Sequence, residues 1–175
     1  MKIQSVLINN YKGLNISLAL SDGINAITGR NGTGKSNILH AIRLALGLED
    51  AEKKNVVTRG KSVASVKVTL ADKKVILDKY SVLKKIYRCG RVKMYYSDTL
   101  PDDKIDCLLL DYDSHCFMEL LKLKDFAKDL KEKSKDTQII IVTQSEDVIN
   151  AADSVFKTQC VGDGYTITTQ NKAVA

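Results

Sequence analysis

The sequence predicts an α/β fold: a mixed sheet with parallel core strands, an antiparallel β-meander lobe beside them, and helices on the faces. Three observations carry this reading. Apolar runs at 24–28, 105–110 (broken only by Asp106) and 138–142 have the look of buried parallel strands. Runs at 14–20 and 66–70 alternate instead, as half-buried antiparallel strands do. Between the first apolar run and a helical stripe lies Gly29-Arg30-Asn31-Gly32-Thr33-Gly34-Lys35-Ser36, which reads G-x-x-x-x-G-K-S, a phosphate-binding P-loop.

The chemistry of that loop follows from its residue types. Glycines at 29, 32 and 34 let the backbone of 29–36, with Thr33 between them, approach a polyphosphate and aim its N–H groups inward. Lys35 reaches the β- and γ-phosphates, and the Ser36 hydroxyl ligates Mg²⁺. The helix that starts there presents the positive end of its dipole to the anion.

The elements follow in order. Residues 2–9 carry Ile3, Val6, Leu7 and Ile8 and read as a strand, with Tyr11 in a turn bracketed by Asn9-Asn10 and Lys12-Gly13. Residues 14–20 set Leu14, Ile16, Leu18 and Leu20 against Asn15, Ser17 and Ala19; Ser21-Asp22-Gly23 then turns into the strand feeding the loop. Ile38, Leu39, Ile42, Ala45 and Leu46 form a helical stripe that stops near Gly47, a C-cap glycine. Residues 49–61 are polar and read as loop. Strands at 65–70 and 75–80, and a third through 86–88 that turns at Cys89-Gly90 and returns through 92–96, make the meander. Pro101 marks the loop at 97–103. After the run that ends at Asp111, Phe117, Leu120, Leu121, Leu123 and Leu130 fit a helix to about Lys133. Its interleaved lysines and acids read as a solvated face with i,i+4 pairs rather than a DNA-binding stripe. Ser145 can cap a short helix through Asn150 after the strand at 138–142, and strands at 154–159 and 164–169 close as a hairpin around Gly162-Asp163-Gly164.

The 175 residues fit one domain, with a P-loop and meander lobe at 1–100 and a second lobe, built on the Asp111 strand, at 101–175. The net charge of +6 admits an acidic partner such as DNA without demanding one. Cys89, Cys107, Cys116 and Cys160 show no C-x-x-C pairing and read as reduced thiols of a cytosolic or nuclear protein. No apolar run approaches the roughly 20 residues of a membrane span.

Asp111 closes an apolar strand, where a carboxylate can hold a water on the Mg²⁺ bound by Ser36; these two residues form the metal pair. Tyr112 follows, and a phenol with a pKa near ~10 is a poor base at neutral pH. Asp113 is the nearest carboxylate. Either a shifted loop brings it in as a catalytic base, or the two aspartates flanking a tyrosine are ordinary turn chemistry. Gln144, past the end of the strand at 138–142, can donate a hydrogen bond to a γ-phosphate but cannot carry an imidazole's charge; a solvated loop glutamine is the alternative. His40 reads as a surface or partly packed residue of the P-loop helix, and His115, which follows the Asp111 loop, as a candidate imidazole to substitute in the site.

Several stretches together resemble the head domain of the structural maintenance of chromosomes (SMC) proteins, part of the ABC ATPase superfamily. They are Asn10-Tyr11-Lys12-Gly13, the run 21–39 around the P-loop, Ala41-Ile42-Arg43 through Gly47-Leu48, and Arg59-Gly60-Lys61 before the strand at 66–70. Leu108-Leu109-Leu110-Asp111, the run 138–143 and Asn150-Ala151-Ala152-Asp153 are similar more loosely. The resemblance implies an ABC-type head with ATP and Mg²⁺ as ligands. It also implies Lys12, Asn31 and Asn37 as further phosphate or nucleotide contacts beside Gly32, Thr33, Gly34, Lys35 and Ser36. Two heads would sandwich ATP, as a homodimer or heterodimer through the nucleotide face, in a complex like those of SMC proteins. DNA is the usual ultimate partner, and the location is cytoplasmic or chromosome-associated, nuclear in a eukaryote.

The departures bear on activity. Between Ser36 and Asp111 the family carries a Gln-bearing loop, a coiled coil, a hinge and a Leu-Ser-Gly-Gly signature. Here no heptads run for three or four turns and no Ser-Gly-Gly occurs. An artificial junction would show Gly/Ser repeats, so the chain reads as a natural miniature head. ABC-type enzymes place a glutamate where Tyr112 stands and a histidine where Gln144 stands. Binding determinants are kept while hydrolysis determinants are not. The expected function is an ATP-binding head with weak or no ATPase activity alone, a nucleotide-dependent dimerisation or docking unit in chromosome organisation or DNA repair. The alternatives are an active ATPase completed by a partner that supplies the signature, and a structural subunit with a relic P-loop.

Overall fold

The structure, a computed structural model, describes residues 2–48, 56–70, 74–78, 92–95, 107–111, 120–161 and 165–172. In chain order the elements are β1 (Ile3–Tyr11), β2 (Leu14–Ala19), β3 (Ile24–Gly29), α1 (Lys35–Ala45), β4 (Ser65–Leu70), β5 (Lys74–Asp78), β6 (Val92–Tyr95), β7 (Cys107–Asp111), α2 (Leu120–Lys133), β8 (Gln138–Val142), α3 (Glu146–Ala151), β9 (Ser154–Val161) and β10 (Tyr165–Lys172). The described strands form one ten-stranded sheet in the order β5-β4-β1-β2-β10-β9-β3-β8-β7-β6.

The parallel half is what the continuous apolar runs predict. β3 pairs in parallel with β8 and β9, and β8 pairs in parallel with β7. Both faces are covered, so successive side chains on one strand enter different cores. Ile27, Leu109, Ile140 and Val142 meet Ile38, Leu39 and Ile42 of α1 on one face. Ala26, Leu108, Leu110, Ile139 and Ile141 meet Phe126 and Leu130 of α2 and Val148 of α3 on the other. That is why these strands read as unbroken hydrophobic runs.

The antiparallel half buries one face only. β1 pairs with β2 and β4, stacking Val6 between Leu18 and Val68, and Ile8 between Ile16 and Val66. These side chains join the core beneath α1, while Leu7, Asn15 and Ser17 face outward. β2 accordingly shows strict alternation of buried and exposed residues. α1 ends in a Schellman motif: Gly47 has φ 72°, its N–H donates to Leu44 O, and the Leu48 N–H donates to Arg43 O.

Three expectations need correction. The segment 92–96 does not return as a meander strand. β6 lies at the opposite edge of the sheet, parallel to β7 through Val92↔Cys107 to Tyr95↔Leu110. Its short alternating pattern fits an edge strand as well as a hairpin arm, and local sequence does not name the partner. Tyr11 is not a turn tip. β1 runs on to it through a register shift between Ile8 and Tyr11, with Asn10 at φ 52°, and the ring is 1% exposed. Ser145 occupies the N-cap position of α3 but its side chain makes no capping bond; its N–H donates instead to Thr143 Oγ1. The expected strand at 86–88, the loop at 97–103, the turn at 162–164, and Tyr112, Asp113 and His115 lie outside the described residues.

Candidate functional site

The P-loop joins the end of β3 to the start of α1, and its glycines serve different ends. Gly34 is the helix N-cap at φ 87°, and Gly32 has φ 79°; both are left-handed conformations open to glycine. A Cβ on Gly32 would meet nothing within 4 Å. On Gly29 it would lie 2.3 Å from Thr158 Oγ1 and 2.5 Å from Thr158 O. Packing against β9, rather than a ligand, therefore excludes a side chain at Gly29. Thr33, 7% exposed, donates from Oγ1 to Arg30 O at 2.7 Å and fixes the loop's curl. Lys35 is 6% exposed, and its Nζ donates to Gly29 O at 2.9 Å and Arg30 O at 3.1 Å. Ser36 is exposed and Asn37 half-buried in the first turn of α1.

Asp111 reaches the same end of the sheet. It pairs with Val142, and Val142 pairs with Ile27, so the carboxyl ends of β7, β8 and β3 are level. Two strand spacings, about 9–10 Å of backbone, separate β7 from β3. Open α/β sheets bind ligands in the crevice outside such ends. Asp111 Oδ1 is buried and has no hydrogen-bond partner among the described residues. A buried carboxylate oxygen without a donor is unfavourable, and a cation relieves it. The donor set of a carboxylate and a hydroxyl is all oxygen, which suits Mg²⁺. Ser36 and Asp111 thus fit the expected metal.

Past the end of β8, Gln144 Nε2 donates to Asn31 Oδ1 at 2.7 Å. The structure therefore brings these two expected site residues together across the loop. Lys12, at φ 44° in the β1–β2 turn, sets its Nζ 6.0 Å from the Tyr11 ring centroid. The Tyr11 hydroxyl bonds His40 Nδ1, tying that turn to α1. His40 is half-buried, as a partly packed residue would be. The turn is also bound to the 56–58 segment: Lys12 N–H donates to Val56 O, Gly13 N–H to Thr58 Oγ1, and Thr58 N–H to Asn10 O.

Behind the site lies a polar framework that sequence reasoning missed. Asn25 is fully buried; its Oδ1 accepts from Ser21 N–H and Oγ, and its Nδ2 donates to the carbonyls of Ser21, Gly23 and Ile139. Gln138, also fully buried, extends the sheet with its amide, accepting from Ile3 N–H and donating to Ile3 O and Ser21 O. Asp153 accepts from Ile24 N–H at 2.7 Å and from Lys131 Nζ at 2.8 Å. Burial pushes the Asp153 carboxyl up, but the Lys131 hydrogen bond, the Ile24 N–H and the Lys131 charge outweigh it and hold the pKa below 3.8. Asn25 and Asp153 fall within motifs of the resemblance; for Asn25, a polar residue inside the apolar strand β3 is the only further signal.

A glycine-rich loop between a buried strand and a helix, beside a strand-end aspartate, defines a P-loop nucleotide-binding architecture. The sequence profile of the AAA ATPase domain matches residues 1–171, and the chain belongs to that family. Over 51 residues it is 47% identical to structural maintenance of chromosomes protein 2 of Schizosaccharomyces pombe, a stretch covering 27% of this chain and 4% of that protein. Its fold is that of SMC heads. It superposes on an SMC head bound to the C-terminal domain of ScpA from Pyrococcus furiosus with a TM-score of 0.76, at 11% identity, covering 97% of this chain and 96% of the other. An SMC head bound to the C-winged helix domain of ScpA gives a TM-score of 0.70 at 13% identity, covering 98% of each chain. The SMC head of Thermotoga maritima gives 0.64 at 17% identity, covering 98% and 100%. Among the described residues no helix is long and apolar enough to cross a membrane.

Proposed function

We propose that residues 1–175 act as one ATP- and Mg²⁺-binding head that uses nucleotide to dimerise or to dock a partner, with weak or no ATPase activity alone. The buried Asp111 Oδ1, without a hydrogen-bond partner among the described residues and level with the end of the P-loop strand, carries this reading. The backbone of Gly32, Thr33 and Gly34 would hold the phosphates, Lys35 would pair with them, and Ser36 and Asp111 would hold the metal. Bound Mg²⁺ would neutralise charge on the β- and γ-phosphate oxygens. Asn31 and Gln144 would face the terminal phosphate from the loop and from β8, with Lys12 and Asn37 as outer contacts. Gln144 is uncharged, and Tyr112 follows Asp111 where a glutamate base would be expected, so water would be poorly oriented. Asp113 remains the proposed carboxylate if any turnover occurs.

Two of the similar heads are bound to ScpA domains, which supports a partner of that kind in chromosome organisation; a role in DNA repair and DNA as the ultimate partner are proposed from the SMC resemblance alone. Isothermal titration with ATP tests the reading. The expected result is binding that requires Mg²⁺, is abolished by Lys35→Ala and loses its Mg²⁺ dependence in Asp111→Asn, with hydrolysis near background. Absence of binding would refute nucleotide recognition; turnover typical of ABC enzymes from the pure chain would refute the weak-ATPase assignment.

A further inference from the structure

Lys35 Nζ donates to Gly29 O and Arg30 O, so a lysine drawn toward phosphate would leave both carbonyls. Gly29 O would then need another donor, whereas Arg30 O, on an exposed residue, keeps the Thr33 N–H at 3.3 Å. Two hydroxyls stand behind them. Thr33 Oγ1 lies 2.7 Å from Arg30 O and 2.7 Å from Thr158 Oγ1, and Thr158 Oγ1 lies 3.1 Å from Thr28 O. Thr33 and Thr158 are 7% and 2% exposed, which leaves little room for water to substitute.

Each hydroxyl carries one proton, so these three contacts cannot all be hydrogen bonds at once. Two arrangements keep a proton between the hydroxyls. In one, Thr33 donates to Thr158 and Thr158 donates to Thr28 O. In the other, Thr158 donates to Thr33 and Thr33 donates to Arg30 O. In the first, Arg30 O is held by the Thr33 N–H and Lys35; in the second, the Thr33 hydroxyl joins them.

We propose that Thr158, acting through Thr33, is a positioning residue of the phosphate loop. Whichever way its proton runs, the hydroxyl pair ties the curl of the loop at Arg30 and Thr33 to β9. The inference rests on the nucleotide-binding reading above. Gly29 supports it independently, because a Cβ there would lie 2.3 Å from Thr158 Oγ1 and 2.5 Å from Thr158 O. β9 is pressed against the loop so closely that a shift of Thr158 passes directly to the loop backbone.

Titration of ATP–Mg²⁺ into the full chain, with hydrogen exchange of the 29–36 amides in the protein alone, tests the proposal. Thr158→Val is expected to lose about tenfold in affinity, the scale of one hydrogen bond, and Thr158→Ser to restore it. Thr33→Val, outside the sheet, should show the same loss, and the double valine variant no more than either single one. Exchange of the loop amides should quicken in Thr158→Val while the other strands keep wild-type rates. Should Thr158→Val fail to fold, Thr33→Val decides alone. Wild-type affinity in the valine variants, beside a wild-type chain that binds, overturns the proposal even if thermal stability falls. A wild-type chain that binds no ATP overturns the nucleotide reading and this inference with it.

Discussion

Asn25 and Gln138 show how single residues hold this fold in ways no local pattern announces. Each sits fully buried with its amide bonded to backbone groups. Gln138 reaches Ile3, a partner 135 positions away, so nothing near either residue marks the pair. Truncating Asn25 to alanine should leave several buried backbone groups unmet and destabilise by about 2–3 kcal/mol in denaturant unfolding. Asp153 makes a different prediction. Its pKa is held below 3.8, so its contribution is present above that value and is lost as pH falls through the folded pKa. Its side chain is 39% exposed, so solvent screening keeps that contribution to about 1 kcal/mol or less. Thermal unfolding of Asp153→Asn should therefore trail wild type at pH 6, with the gap closing as the pH falls below 3.8. Gly23 belongs to the same contact. A Cβ there would lie 2.1 Å from Asp153 Oδ2, so Gly23→Ala should displace the carboxylate from Ile24 N–H and remove the same acid-sensitive increment.

Elements were more legible than residues because periodicity is a local property. The continuous runs of β3, β7 and β8 and the alternation of β2 and β4 were readable because each reports how many faces are buried. The stop at Gly47 was readable too, since a left-handed C′ position selects glycine. Gly47→Ala should lower stability by about 1 kcal/mol, measured by thermal unfolding, by forcing a Cβ into φ 72°. What the elements do not state is who pairs with whom. β6 reads like a hairpin arm after β5, yet it lies nine places away at the far edge of the sheet. β9 and β10 likewise insert between β2 and β3, a placement set by long-range pairing that leaves no trace in the run 154–172 itself. Tyr11 departs from the turn its neighbours suggest for a related reason: asparagines tolerate left-handed backbone and so mark bulged strand ends as readily as turns.

At the scale of the whole molecule, the sheet order brings the site together. With β8 between β3 and β7, the P-loop, Gln144 and Asp111 all emerge at one end of three level parallel strands. The P-loop dictates residue type at fixed spacing and Asp111 closes an apolar run, so both can be named from sequence as candidates. The Asn31–Gln144 contact and the Thr33–Thr158 pair were not, since each needs the strand order to be known first. The proposed site shares one metal between the first turn of α1 and the end of β7. A crystal of the chain grown with a non-hydrolysable ATP analogue and Mn²⁺, read by anomalous scattering, tests it directly. The metal is expected beside the triphosphate, ligated by Ser36 Oγ and held by Asp111 directly or through one water. Mn²⁺ found away from both residues, or an analogue bound elsewhere on the chain, would rule out a shared metal.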